Sequence, residues 1–116
     1  MKHLDLSYIL SNVSDDKEFV GQLLNVFISS LDQDIPDLEQ AIASEDHEHI
    51  RRAAHKVKSG FRSLGMTSMT QYLQELEDMG RTNTAIPEIK EKLAGFLAML
   101  PEVKSEVSAY RTSEGI

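Results

Sequence analysis

Cysteine is absent from this 116-residue chain, so neither a disulfide framework nor a thiolate metal centre can form, a composition that fits the cytoplasm. Long apolar runs are missing too. None approaches the roughly 18 residues that a membrane-spanning helix needs, and Met1-Lys2-His3-Leu4 leads into no signal-peptide core, so the chain is expected in solution with no membrane partner. Positive charge is scarce: 12 lysines and arginines stand against 19 aspartates and glutamates, a formal net charge of -7. That balance argues against general nucleic-acid binding, which relies on cationic surface to displace counterions from phosphates. The sequence has no glycine-rich phosphate loop, internal repeat or low-complexity tract, so it offers no cradle for a nucleotide.

What is present is an ordinary soluble balance, 41% hydrophobic and 27% charged, too apolar for disorder. The length predicts one domain over residues 1–116 around a single core. Apolar residues recur at three- and four-residue spacing, the period of an amphipathic helix, and no stretch alternates as a strand would. A short opening helix carries Leu6, Ile9, Leu10 and Val13, with Asp5 as its cap. From Asp16 a long helix keeps Val20, Leu24, Phe27, Leu31, Ile35, Leu38 and Ile42 in phase past Pro36, so a kink near Asp32 to Ile35 is expected rather than a break. Asp46 caps a helix running to Leu64, where Gly65 supplies a left-handed stop. Met66, Met69, Leu73, Leu76 and Met79 mark a fourth helix ending at Gly80, followed by the polar loop Arg81-Thr82-Asn83-Thr84. Pro87 begins a fifth, striped by Ile89, Leu93, Phe96, Leu100, Val103, Val107 and Tyr110 and bent at Pro101, before a polar, frayed end from Thr112. Short loops between long helices predict an all-α fold, an antiparallel four-helix bundle with a short additional N-terminal helix.

One histidine is set apart by this geometry. At about 100° per residue, Ile50, Ala53, Val57, Phe61 and Leu64 lie roughly 160 to 240° around their helix from His55. That stripe faces the core and His55 faces water. Arg51, Arg52, Lys58, Ser59 and Arg62 fall within about 60° of His55 on the same face. An exposed imidazole among four cations and a small hydroxyl can attack phosphorus, and the cations can meet the phosphoryl oxygens as charge-assisted donors. They also favour the neutral, nucleophilic ring over imidazolium. A solvated basic face that happens to hold a histidine is the alternative these residues leave open. His47 and His49, two residues apart, point about 200° apart on a helix and cannot share one metal ion facially.

His55-Lys56-Val57-Lys58-Ser59-Gly60-Phe61-Arg62-Ser63-Leu64-Gly65 resembles the phosphoacceptor signature of histidine-containing phosphotransfer (HPt) domains: histidine, any residue, an aliphatic, lysine, a small residue, then leucine-glycine. Ser59-Gly60 departs from the commoner order of glycine followed by serine or alanine, although both residues stay small. The resemblance implies that His55 carries the phosphoryl group, Lys58 contacts it and Ser59 leaves room beside the imidazole. It further implies transfer between aspartates of response-regulator receiver domains, free or within a hybrid histidine kinase, with no kinase activity in the chain itself. The partner would bring Mg²⁺ and an acidic pocket, and this chain would bind no cofactor or metal. Arg51, Arg52 and Arg62 would then serve docking. A non-catalytic interaction module would instead need a large exposed apolar patch, of which the polar faces give little sign. A metal-binding bundle would need inward-facing histidines and carboxylates, and Glu45, Glu48 and His49 sit at a helix start. A monomer is expected, since each helix has one apolar stripe for the bundle to consume.

Overall fold

The computed structural model describes residues 2–114. Among them lie α1 (Leu6–Asn12), α2 (Lys17–Ala43), α3 (His47–Ser63), α4 (Thr67–Arg81) and α5 (Ile86–Glu114), and no strand. Aspartates start three of these helices. Asp5 accepts from the Tyr8 amide, Asp16 from those of Glu18 and Phe19, and Asp46 from that of His49. Each bond satisfies an amide that a helix N-terminus leaves without an intrahelical partner. Gly65 ends α3 with φ +72°, a backbone that glycine adopts without steric cost, and the Tyr8 ring lies against it where a Cβ would otherwise project. Thus α1 seals the turn between α3 and α4.

Both prolines inside long helices are carried through: α2 continues past Pro36 and α5 past Pro101, because the apolar stripe stays in phase on either side. Several boundaries differ from expectation, α3 ending at Ser63 rather than Leu64 and α5 starting at Ile86 rather than Pro87. Arg81 is the last residue of α4 rather than the first of a loop, and the end expected to fray is helical through Glu114. Gly115 and Ile116 fall outside the described residues.

The four long helices close in the order α2, α3, α4, α5, with α5 against both α4 and α2, giving a body 44 × 21 × 20 Å. Neighbours run antiparallel, so the start of α3 meets the end of α4: His47 Nε2 lies 2.7 Å from the Thr84 carbonyl. The stripe of α3, Ile50, Ala53, Val57, Phe61 and Leu64, is buried throughout. At its centre the Phe61 ring meets those of Phe27 on α2 and Phe96 on α5 edge to face, at 4.9 and 5.8 Å between centroids. Ahead of α1 the chain is clamped to α5, with the amides of His3 and Leu4 each donating to Glu106 Oε1 at 2.9 Å. Among the described residues no helix is long and apolar enough to cross a membrane.

Candidate functional site

His55 stands on the outer face of α3 with its side chain 54% exposed, as the helical stripe predicts. Its ring is nevertheless held. Nδ1 lies 2.7 Å from Glu77 Oε1 on α4. Burial alone would raise the Glu77 carboxyl, but the hydrogen bonds from Lys58 and His55 and their charges outweigh it and keep the group below the ordinary carboxylate value. An ionised carboxylate can only accept, so Nδ1 is the donor, and in the neutral imidazole the lone pair sits on Nε2.

Lys58 departs from the sequence reading, which put it on the wet face. Its side chain is 6% exposed, like that of Glu77, and its ammonium group lies 3.1 Å from Glu77 Oε1 and 2.8 Å from Gln74 Oε1. About 60° from His55 is also about 60° from buried Phe61, a border position on the helix that α4 covers. The free charge around the imidazole is correspondingly smaller than four cations. Arg51 donates to Glu48 through Nε at 3.1 Å, and Arg52 is 4.0 Å from the same carboxylate. Arg62 is exposed and has no ion pair among the described residues. Ser59 turns its hydroxyl back to the His55 carbonyl at 3.0 Å, so it adds no bulk towards the ring.

The sequence reading missed Glu77, Gln74, Asp78 and Arg81. Arg81 Nη2 donates to Glu77 Oε2 at 3.1 Å and Nη1 to Asp78 Oδ1 at 2.6 Å. The available signal was a glutamate beside the α4 stripe followed by an arginine four residues on, a pairing that also occurs on ordinary solvated helix faces. His47 and His49 are apart from this site and from each other, His49 Nε2 lying 2.9 Å from Asp37 Oδ1. Among the described residues no group of three or more histidines and carboxylates is arranged to hold a metal ion.

On the other side of α3, a groove of 220 Å³ opens against α2, lined by Leu23, Val26, Phe27, Leu31, Val57 and Leu64. Val26 is 62% exposed and lies outside the apolar stripe read from the sequence, which is why the reading found little sign of an exposed apolar patch.

Fold and site together define a helical bundle that displays one half-exposed histidine held at Nδ1 by a buried carboxylate. The Hpt domain family model matches residues 22–111, and the chain belongs to that family. Histidine phosphotransfer in phosphorelays, through receiver domains, is the family's role. No curated protein sequence and no solved structure matches the chain.

Proposed function

We propose that this chain takes a phosphoryl group on His55 from the aspartyl phosphate of one receiver domain and passes it to the aspartate of another. The observation that carries this reading is the 2.7 Å contact of Glu77 Oε1 with Nδ1 of a half-exposed imidazole. In the neutral ring Nδ1 keeps its hydrogen while the Nε2 lone pair attacks phosphorus; the phosphorus–oxygen bond to aspartate breaks and its electron pair leaves with the carboxylate. The ring, with phosphoryl on Nε2 and hydrogen on Nδ1, then bears a formal positive charge facing the Glu77 carboxylate. Onward transfer is the reverse step, in which an imidazole that retains its Nδ1 hydrogen departs as a neutral molecule instead of an imidazolate.

The family resemblance gives Lys58 the phosphoryl oxygens. Its ammonium group has three donors and can exchange the neutral Gln74 oxygen for an anionic one while keeping Glu77. Ser59 leaves the approach to the ring open. Arg51, Arg52, Arg62 and the α2–α3 groove form the docking face, and the receiver contributes Mg²⁺ and the acidic pocket. The chain holds no cofactor of its own, does not phosphorylate itself, and works as a cytoplasmic monomer.

Incubation with a phosphorylated receiver domain, followed by a test for acid-labile, alkali-stable phosphate, examines this directly. His55→Gln is expected to take up no label and to melt as the wild type does, since exposed substitutions usually stay within about 0.5 kcal/mol. Label that persists in this variant, on His47 or His49, overturns the assignment.

A further inference from the structure

Five side chains below the imidazole form a closed hydrogen-bonded ring between α3 and α4. Lys58 Nζ donates to Gln74 Oε1 at 2.8 Å and lies 3.1 Å from Glu77 Oε1. Gln74 Nε2 donates to Asp78 Oδ1 at 3.0 Å, Arg81 Nη1 donates to the same oxygen at 2.6 Å, and Arg81 Nη2 returns to Glu77 Oε2 at 3.1 Å. His55 Nδ1 meets the ring at Glu77 Oε1. Gln74, Glu77, Asp78 and Arg81 share one face of α4 by their three-, four- and seven-residue spacing, just as His55 and Lys58 do on α3.

We propose that Gln74, Asp78 and Arg81 are positioning residues for phosphoryl transfer, which act by fixing the Glu77 carboxylate on which His55 is oriented. This rests on the carrier reading above. A glutamate side chain rotates about several bonds, and one contact from a half-exposed ring would not hold it. Here each carboxylate oxygen has its own cation, Lys58 on Oε1 and Arg81 on Oε2, so the plane of the group is set from both ends. The Gln74 amide cannot flip without turning its NH₂ to the Lys58 ammonium and its oxygen to the Asp78 carboxylate. Two cations and two carboxylates leave the ring without net charge.

A plain interhelical clamp would use the same contacts, but the burial pattern separates the two roles. Arg81 and Asp78 are 55% and 48% exposed, where ion pairs add little to stability. Their removal should therefore leave the fold alone and disturb only what Glu77 does at His55.

The test compares wild type, Arg81→Met, Arg81→Lys and Asp78→Asn, reading thermal melts, the His55 imidazole nitrogen shifts by NMR, and transfer from a phosphorylated receiver domain. Wild type should hold hydrogen on Nδ1. Arg81→Met should mix the two tautomers and slow transfer by about two- to tenfold at an unchanged melt, the range one hydrogen bond spans. Arg81→Lys keeps a cation four residues from Glu77 and should restore the wild-type tautomer; Asp78→Asn should fall between. Wild-type shifts and rates in Arg81→Met, or a lowered melt with no change in tautomer, overturn the proposal while leaving His55 as carrier. Wild-type protein that accepts no phosphoryl group from any receiver overturns the carrier reading and this proposal with it.

Discussion

Glu77 is the residue on which the site's chemistry and its stability meet. Its carboxylate and the Lys58 ammonium are almost entirely shielded from water, and two desolvated charges are tolerable only as a pair. Glu77→Ala strands Lys58 and is expected to cost about 3–5 kcal/mol in urea denaturation, whereas Glu77→Ala with Lys58→Met removes both charges and should recover most of that loss. The pair also sets a pH dependence. Because the folded-state value of Glu77 is depressed, its contribution is fully present above the ordinary carboxylate value and disappears as pH falls through the lower, folded-state value. Wild type should therefore lose stability on acidification more steeply than Glu77→Gln with Lys58→Met, and parallel acid profiles for the two would show that the pair carries no such linkage.

Among the elements, the approach of α3 to α4 places the carboxylate under the imidazole, and Gly80 permits that approach. A Cβ at this position would stand 2.8 Å from the Arg51 amide nitrogen and 2.9 Å from the His47 carbonyl oxygen, both backbone atoms that cannot move without moving the helix. Gly80→Ala should push the end of α4 off α3, at the roughly 1–3 kcal/mol typical of overpacking. The same displacement draws Glu77 and Arg81 away from His55, so phosphoryl transfer should slow beyond what the lost stability explains. A melt and a transfer rate both equal to wild type would mean that the helices part there at no cost. Gly65 acts differently: its positive φ and the Tyr8 ring against it fix the turn that brings α4 back along α3.

Across the whole molecule, an acidic body carries a small basic site whose charges are mostly paired. Among the described residues Arg62 is the exception on the His55 face, so Arg62→Glu should weaken receiver binding several-fold, more than Arg52→Glu, whose charge is already shared with Glu48. Added salt should weaken the wild-type complex in the same direction, since exposed charges are screened beyond a Debye length of about 8 Å at physiological ionic strength. Unchanged binding in Arg62→Glu across salt would assign docking to the apolar groove beside Val26 alone. The bundle consumes its own stripes, from Val20 to Tyr110, and the net charge of -7 opposes self-association. Sedimentation should give a monomer; a tight dimer with His55 protected would mean that the groove serves a second copy.

The sequence by itself determined the helices, their caps and the exposure of His55, because these depend on neighbours within a turn or two. Asp46 reaches the amide of His49, Gly65 stops the helix it follows, and the stripe from Ile50 to Leu64 fixes which way His55 must point. Only the tertiary structure decided what lies beneath the ring. Glu77 is 22 residues from His55 in the chain, and helical periodicity says nothing about which residue of a neighbouring helix arrives there. For the same reason Lys58 could not be assigned from α3 alone: on the border between core and water, its burial is settled by the helix that covers it.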